Sequence, residues 1–189
     1  MEKQQPSNPG VEAKAVLDEA DLVISEADLT RMYDRMAKEI HQDLAELDPV
    51  VLCVMMGGFV VAAELLRRLR FPFTFDYLHA TRYRGETQGG ELVWKVSPGI
   101  VLEGRHVLVI DDILDEGHTL DAILRAIEGQ GAASVRSAIL LRKQHDRRER
   151  EFKVDYLGGD VEDRYVFGAG MDYRGYYRQL PAVYALKGS

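Results

Sequence analysis

The amino-acid sequence predicts an α/β fold in which helices flank a mainly parallel, twisted sheet. The first observation is that strand-like and helix-like segments alternate from residue 50 to residue 141, as in parallel sheets covered on both faces. The second is that two apolar segments run directly into glycine-containing turns, at Met56-Gly57-Gly58 and at residues 111–119. Ligands of such sheets bind outside the carboxyl ends of the strands, so both turns are expected at the binding edge.

Length and composition agree with one globular domain. The 189 residues are 46% hydrophobic and 29% charged, which suits a domain with a sizeable core. The formal net charge of −7 argues against a general nucleic-acid binder or a membrane-surface binder, because both need a basic face. The single cysteine, Cys53, excludes an internal disulfide and a CxxC metal site, and it is expected in the core.

The N-terminus and the absence of long apolar runs favour a cytoplasmic location. Residues 1–10 are polar and lack the apolar region of a signal peptide, and no apolar run approaches the ~18 residues of a membrane span. The same ten residues are expected to form a disordered tail, and residues 11–189 a single domain.

The spacing of apolar residues predicts the helices and the strand in the first half of the domain. After the capping-box pattern of Ser25 and Asp28, apolar residues recur at three- and four-residue steps and predict an amphipathic helix over residues 25–47. A short apolar run at residues 50–56 predicts a buried strand, and residues 59–69 fit a helix.

Two strands and a polar loop are predicted next. Alternating aromatic residues indicate a strand over residues 73–77. A second strand, over residues 91–96, returns from the polar, glycine-rich loop at 81–90.

The second half continues the alternation of strands and helices. An apolar strand at residues 106–110 is followed by a helix at 119–128, which a glycine ends, and by a strand at 135–141. The charged run at 142–151 is expected to be a solvated connection. Further short strands are expected at residues 154–157 and 165–167.

The segment VLVIDDILDEGHTL, residues 107–120, places three acidic residues directly behind an apolar strand. Adjacent carboxylates at Asp111 and Asp112 repel each other and lose solvation, so a metal ion or a polyhydroxyl ligand should compensate them. The residues that follow run into a helix N-terminus, where backbone N–H groups and the helix dipole favour an anion. One turn therefore offers acceptors for sugar hydroxyls and donors for a phosphate, as a ribose 5-phosphate site requires. The alternative, a capped helix, accounts for one or two acidic residues but not for three.

This segment resembles the phosphoribosyl-diphosphate (PRPP) binding motif of type I phosphoribosyltransferases, and the wider chain resembles their hypoxanthine-guanine branch. The resemblance spans about residues 25–187. Four segments carry it: VMMGGF (54–59), TRYRG (81–85), VIDDILDEGHT (109–119) and VEDRYVFGAGMDYRGYYRQLP (161–181). It implies the type I phosphoribosyltransferase fold, with a small hood subdomain formed by the N-terminal segment and residues 155–181, and a mobile lid loop at 81–90.

The resemblance implies roles for the acidic turn. Asp111 and Asp112 would bind the ribose hydroxyls and, together with Asp172, would ligate magnesium. Asp115 would act catalytically by accepting the proton at the purine N7. Four residues would hold the 5-phosphate through their backbone amides: Glu116, Gly117, His118 and Thr119. Relatives carry a serine or threonine at the position of Glu116, so its side chain is expected to point away from the phosphate.

Pyrophosphate and purine sites follow from the same resemblance. The family's pyrophosphate loop is built on a cis peptide, which here would join Met55 and Met56. The implied pyrophosphate-binding residues are Met56, Gly57, Arg82, Tyr83 and Arg178. The implied purine-binding residues are Lys143, Tyr165, Val166 and Asp172. Lys143 would donate to the purine O6 and discriminate against adenine, and Tyr165 would stack on the ring.

The implied reaction depends on Mg²⁺ and uses PRPP and a 6-oxopurine base as substrates. Purine N9 attacks C1 of the ribose and pyrophosphate leaves, giving a nucleoside monophosphate, IMP or GMP, in purine salvage. Relatives are dimers or tetramers, so a homodimer or homotetramer is expected, with no membrane or nucleic-acid partner.

Three alternatives differ in what they require of the sequence. A response-regulator receiver also has an apolar strand followed by paired aspartates. That pair lies near the start of a receiver domain, whereas only 78 residues follow Asp111 here, which is too few. A PRPP-sensing regulator on the same fold would not need Asp115 or Asp172. A xanthine- or pyrimidine-specific phosphoribosyltransferase would differ mainly in the hood.

Overall fold

The computed structural model describes residues 8–82, 92–145 and 153–188. The helices are α1 Pro9–Glu19, α2 Glu26–Leu44, α3 Gly58–Leu66 and α4 His118–Glu128. The strands are β1 Asp21–Ile24, β2 Val50–Val54, β3 Thr74–Arg82, β4 Leu92–Val96, β5 His106–Leu114, β6 Ser134–Gln144, β7 Tyr156–Glu162, β8 Val166–Phe167 and β9 Val183–Ala185. Most of the expected lid loop at 81–90 lies outside the described residues.

A six-stranded sheet forms the centre of the molecule, with strand order β4-β3-β2-β5-β6-β7. Every pair in it is parallel except β3 with β4. All five residues of β2 are buried, as expected for a central strand covered on both faces. The predicted α/β architecture with a mainly parallel sheet is confirmed.

Helices cover both faces of this sheet. The side chains of Leu108 and Ile110 on β5 pack in the cluster that contains the buried residues of α2 and α3. Their neighbours Val107 and Val109 point the other way, into the cluster that contains the buried residues of α4. At the start of α2 the Ser25 hydroxyl accepts a hydrogen bond from the backbone N–H of Asp28 at 3.2 Å, which confirms the predicted cap.

A second, three-stranded antiparallel sheet has the order β1-β9-β8. It combines an N-terminal strand with the C-terminal part of the chain. Ala13 of α1 packs in one cluster with Phe167 of β8 and with Tyr173. The bounds of this unit differ from the expected hood: β7, within 155–181, pairs with β6 in the main sheet, while β9 lies beyond 181. The difference arises because pairing between distant strands assigns β7 and β9 to their sheets, and the local sequence pattern carries no information about that pairing.

Several elements differ in extent from the sequence prediction. Helix α1 begins at Pro9, inside the range 1–10 assigned to a tail, and the Asn8 side chain accepts from the N–H of Gly10 at 3.0 Å. Strand β6 continues to Gln144, so the charged run does not begin with a solvated connection at Arg142. The Arg142 guanidinium donates to Asp160, its register partner on the adjacent strand β7, at 2.6 Å, so the charge of Arg142 is paired within the sheet.

Among the described residues, none of the helices combines the length and apolar composition that crossing a bilayer requires.

The side chain of Ile40 on α2 is fully buried, so we expect Ile40→Ala to lower the free energy of unfolding by about 2–5 kcal/mol through lost burial and a cavity. Lys38→Ala, two positions away on the exposed face of α2, is the control and should change it by less than about 0.5 kcal/mol. Urea unfolding of the purified proteins measures both values. Equal effects of the two substitutions would contradict the packing of α2.

Candidate active site

The candidate site lies where β2, β5 and β6 end and where the turn after β8 approaches them. In parallel strands these carboxyl ends share one edge of the sheet, so side chains far apart in sequence meet there. The elements involved are the turn from β2 to α3, the turn from β5 to α4, the end of β6 and the segment around Asp172.

Asp111 and Asp112 lie in the last part of β5, and Asp112 is only 8% exposed. Each carboxylate accepts the N–H that follows it: Asp111 Oδ1 from Asp112 at 2.9 Å, and Asp112 Oδ1 from Ile113 at 2.8 Å. Burial raises the pKa of both groups, and for Asp111 the neighbouring Asp112 charge adds to the effect. The pair therefore favours a ligand that supplies positive charge or hydrogen-bond donors.

The turn after β2 packs against this carboxylate pair through its backbone. The Met55–Met56 peptide bond is cis, as the resemblance implied, and the Met56 side chain is 49% exposed. A Cβ on Gly57 would overlap the Asp112 carboxylate, and a Cβ on Gly58 would overlap the carbonyl oxygen of Ile110. Glycine is required at both positions because the two turns touch without room for a side chain.

The segment after β8 approaches the same point from the other side. A Cβ on Gly170 would overlap the carbonyl oxygen of Gly57, so the two loops are also in backbone contact. Arg178 forms an ion pair with Asp172 and donates to the carbonyl oxygen of Gly170 at 2.6 Å. The charge of Arg178 also acts to lower the pKa of Asp112, although burial outweighs it. Asp172 and Arg178 from this segment and Gly57 from the turn after β2 therefore surround the buried Asp112 carboxylate.

A cavity of about 220 Å³ follows the end of β5. It is lined by Asp111, Ile113, Leu114, Asp115, Glu116, Gly117, His118, Thr119 and Leu120. Gly117 has a φ of 88°, a left-handed conformation that glycine adopts without steric cost, and it precedes the first turn of α4. The amides of this turn have no intrahelical acceptor, which suits an anion in the cavity. The Glu116 carboxylate lies 3.8 Å from the His118 imidazole, and its side chain is 51% exposed.

A second cavity, of about 190 Å³, shares Ile113 and Asp115 with the first. It is lined by Asp112, Ile113, Asp115, Lys143, Tyr165, Val166, Met171 and Asp172. All four residues that the resemblance implied for the purine line this one cavity. An aromatic ring, apolar side chains and a lysine together suit a flat ring that carries a hydrogen-bond acceptor.

Charged groups surround Asp115 at the boundary of the two cavities. The Lys143 ammonium lies 3.3 Å from Asp115 Oδ2, and the His145 Nε2 lies 2.7 Å from Asp115 Oδ1. Lys143 also lies 3.8 Å from the Asp163 carboxylate. Burial acts to raise the pKa of Asp115, but the Lys143 charge and the hydrogen bond with His145 outweigh it, so the pKa lies below its usual value. Asp115 is therefore held as a carboxylate.

The aromatic wall of the second cavity is supported from behind. The Tyr165 hydroxyl donates to the backbone oxygen of Asp172 at 3.1 Å, and its ring meets Tyr173 edge-on at a centroid distance of 6.1 Å. Arg174 in turn donates to Glu12 of α1 at 2.6 Å. Helix α1, which is absent from the sequence prediction, thus contacts the segment that carries the cavity wall.

The structure brings most of the predicted site residues together. Arg82 ends β3, and Tyr83 lies outside the described residues. His145 and Asp163 are not among the site residues predicted from the sequence. The available signal for His145 was its position two residues after Lys143, since alternate residues of an extended segment share a side. Cys53 is buried as predicted, and burial followed by the Asp111 and Asp112 charges raises the pKa of its thiol to about 12.

Comparison with known proteins agrees with this arrangement. The model of the phosphoribosyl transferase domain matches residues 27–174. The hypoxanthine-guanine-xanthine phosphoribosyltransferase of Tritrichomonas foetus is 31% identical over 175 residues, which are 92% of this chain and 96% of that protein. The hypoxanthine-guanine phosphoribosyltransferase of Staphylococcus epidermidis is 30% identical over 171 residues, which are 90% of this chain and 95% of that protein.

Solved structures show the same fold. A hypoxanthine-guanine-xanthine phosphoribosyltransferase superposes with a TM-score of 0.82 at 29% identity, covering 90% of this chain and 99% of that chain. A hypoxanthine phosphoribosyltransferase from Staphylococcus aureus superposes with a TM-score of 0.85 at 26% identity, covering 92% and 95% of the two chains. The resemblance seen in the sequence motifs is thereby confirmed, and this chain belongs to the phosphoribosyl transferase domain family.

Proposed function

We propose that this protein transfers the 5-phosphoribosyl group of PRPP to hypoxanthine or guanine and so acts in purine salvage. The observation that carries the proposal is the pair of adjoining cavities. One is lined by acidic side chains and a helix N-terminus, the other by an aromatic ring and a lysine, and Asp115 lies at their boundary. Relatives at about 30% identity are named for this activity.

The first cavity is the site for the ribose and its 5-phosphate. Asp111, which lines this cavity, and Asp112, which lines the adjoining one, accept hydrogen bonds from ribose hydroxyls through their carboxylates. The backbone amides of Glu116, Gly117, His118 and Thr119 donate to the phosphate, whose charge the α4 dipole stabilises. This assignment is supported by the left-handed Gly117, which exposes backbone amides without a side chain in the way.

The pyrophosphate site lies where the turn after β2 meets Arg178. Met56 and Gly57 offer backbone donors, and the Arg178 guanidinium supplies positive charge beside Asp172. We assign Arg82 and Tyr83 to the lid that closes over the reacting atoms, because Arg82 ends β3 at the carboxyl edge of the sheet. Excluding water at this stage protects the cationic ribosyl centre from hydrolysis.

In the second cavity the purine stacks on Tyr165, meets the backbone of Val166 at its edge and accepts a hydrogen bond from Lys143 at O6. Asp172 lines the same cavity. Adenine carries an amino group at the 6-position, which cannot accept from an ammonium, so Lys143 selects 6-oxopurines.

Asp115 accepts the N7 proton as N9 attacks C1 of the ribose. The lowered pKa of Asp115 keeps it ionised, which a proton acceptor requires. The bond from C1 to the pyrophosphate oxygen breaks, and donors from the Met56-Gly57 turn and from Arg178 stabilise the leaving group. The products are the nucleoside monophosphate and pyrophosphate.

Magnesium fits the donor set of this site. Asp111, Asp112 and Asp172 present carboxylate oxygens, which are the ligands that magnesium prefers, and a cation would oppose the rise that burial causes in the pKa of Asp111 and Asp112. When bound, magnesium would neutralise charge on the ribose-linked pyrophosphate.

A second candidate function is phosphoribosyl transfer to xanthine. It is favoured by the name of the relative from Tritrichomonas foetus, which includes xanthine. Pyrimidine transfer and PRPP sensing without catalysis are the remaining alternatives, and the assay below separates all of them.

We further propose a cytoplasmic homodimer or homotetramer in which the chain from α1, which begins at Pro9, forms one domain. Self-association is supported by Phe75 and Tyr77, which lie on one face of β3 and are 47% and 44% exposed. Light scattering coupled to size-exclusion chromatography measures the oligomeric state.

Incubation with PRPP and Mg²⁺ should convert hypoxanthine or guanine, but not adenine or uracil, into a nucleotide that chromatography resolves. Asp115→Asn should lower kcat by about 100-fold or more because the amide cannot accept the N7 proton. Glu128→Gln, which makes the same carboxylate-to-amide change at an exposed position near the end of α4, is the control and should leave kcat unchanged. Turnover of xanthine or uracil alone would contradict the substrate assignment, and PRPP binding without any turnover would favour the sensing alternative.

Gly57→Ala should lower kcat/KM for PRPP by about 100-fold, because the added methyl group displaces the Asp112 carboxylate from the ribose site. Gly57 has a φ of −65°, which alanine adopts freely, so the effect is steric and not conformational. Gly99→Ala is the matched control, since its Cβ would lie 3.6 Å from the Asp76 carboxylate, an ordinary contact. Steady-state kinetics with varied PRPP decides, and equal values for both variants would contradict the assignment.

A further inference from the structure

His145 is a buried partner of Asp115 that the proposed mechanism does not yet use. Its side chain is 4% exposed, and its Nε2 lies 2.7 Å from Asp115 Oδ1. The lowered pKa of Asp115 means that this carboxylate is ionised and can only accept hydrogen bonds. Nε2 therefore carries the proton and donates to Oδ1.

Strand register places both basic residues of the cluster, Lys143 and His145, beside Asp115. Leu114 of β5 pairs with Arg142 of β6, so the next residues along the two parallel strands, Asp115 and Lys143, are neighbours. His145 follows two positions after Lys143 and lies on the same side of the extended chain. The two donors occupy different oxygens, since Lys143 lies 3.3 Å from Oδ2 and His145 lies 2.7 Å from Oδ1.

The spacing of Asp115, His145 and Asp163 would also suit a metal ion, but the Lys143 ammonium already supplies positive charge there. Ligand atoms of Asp115, His145 and Asp163 lie within 4.8 Å of one another. The Lys143 ammonium lies 3.3 Å from one of these carboxylates and 3.8 Å from the other. A cation added to the cluster would be repelled by this ammonium, so the arrangement favours a hydrogen-bonded network.

Lys143 cannot keep its contact with Asp115 while it donates to the purine, so His145 has a separate role in holding Asp115. In the proposed function Lys143 donates to the purine O6, while in the structure its ammonium contacts Asp115 and Asp163. When Lys143 turns to the base, Oδ2 of Asp115 is released toward the cavity that both residues line. The hydrogen bond from His145 to Oδ1 still orients the carboxylate in that state.

We propose that His145 is a positioning residue that holds Asp115 through Oδ1, so that Oδ2 faces the purine N7 while Lys143 binds the base. The proposal rests on the proposed function and adds a residue to its machinery. His145 does not touch the substrate; it acts through the orientation of Asp115. The described ionisable groups around Asp115 are Lys143, His145 and Asp163, and His145 keeps its contact with Oδ1 in this scheme.

The test replaces His145 in two ways and measures kcat, KM for PRPP and KM for hypoxanthine. His145→Leu removes the donor, and we expect kcat to fall by about 10-fold or more with KM for PRPP unchanged, because the phosphate cavity does not include His145. His145→Gln retains an N–H donor at the corresponding distance along the side chain, and it should restore most of kcat. Circular dichroism and the thermal midpoint establish that each variant is folded.

A double-mutant cycle separates positioning from a merely structural role. In an Asp115→Asn background His145→Leu should cause no further loss, because the carboxylate it positions is already gone. An equal loss in both backgrounds, or a leucine variant with the kcat of the wild type, would overturn the proposal. A leucine variant that fails to fold leaves the decision to His145→Gln, which must then show near-normal kcat in the Asp115 background.

The pH profile gives a second readout. Asp115 must be ionised to accept a proton, and the hydrogen bond with His145 is one of the causes that lower its pKa. Removing this bond raises the pKa of Asp115, so the acidic limb of kcat should move to higher pH in His145→Leu and stay near the wild-type position in His145→Gln. An unmoved limb in the leucine variant would count against the proposal. A wild-type protein without turnover on any base would instead refute the proposed function, and the inference would fall with it.

Discussion

The contact between the backbone of Gly57 and the carboxylate of Asp112 is the constraint on which the rest of the site depends. It joins the turn after β2 to β5, and Gly170, in the segment after β8, continues the contact onto the Gly57 carbonyl oxygen. Three segments distant in sequence thus meet through glycine backbone atoms and one buried carboxylate. A site built in this way is rigid, because backbone atoms of adjoining elements have few alternative positions.

Four carboxylates near this point have different electrostatic surroundings. Burial raises the pKa of Asp111 and Asp112, which leaves this pair dependent on an external positive charge or on donors from a ligand. Asp115, only a few residues further on, has a lowered pKa because Lys143 and His145 outweigh its burial. Asp172 is paired with Arg178. Groups of one chemical type can therefore have separate roles, because each environment stabilises a different charge state.

The smaller sheet connects the base-binding wall to the N-terminus of the chain. Tyr165 rests on Tyr173, and the neighbouring Arg174 is paired with Glu12 of α1. Ala13 of the same helix packs with Phe167 and Tyr173. The aromatic wall is accordingly supported by a helix that has no residue in either cavity, so the N-terminal segment contributes to the site through packing.

The sequence by itself determined the features that a continuous segment carries. The apolar strand, the acidic residues and the glycine turn of residues 107–120 predicted β5, the start of α4 and the chemistry between them, although β5 continues to Leu114 where the predicted strand ended at Ile110. These features are local, since consecutive residues fix both the hydrogen-bond donors and the turn. Strand and helix alternation likewise predicted the parallel sheet and its covered faces, because periods of two and of about 3.6 residues are properties of the chain alone.

The tertiary structure decided which distant residues meet. Lys143 and His145 lie in a charged run whose sequence fits a solvated connection, and only the parallel register of β5 with β6 places them on Asp115. Helix α1 was not predicted because few of its residues are buried, so its sequence lacks a clear apolar stripe. Its packing partners Phe167 and Tyr173 lie about 150 residues away. Local pattern states which residues prefer to be buried or exposed, whereas strand register and sheet pairing decide what each one touches.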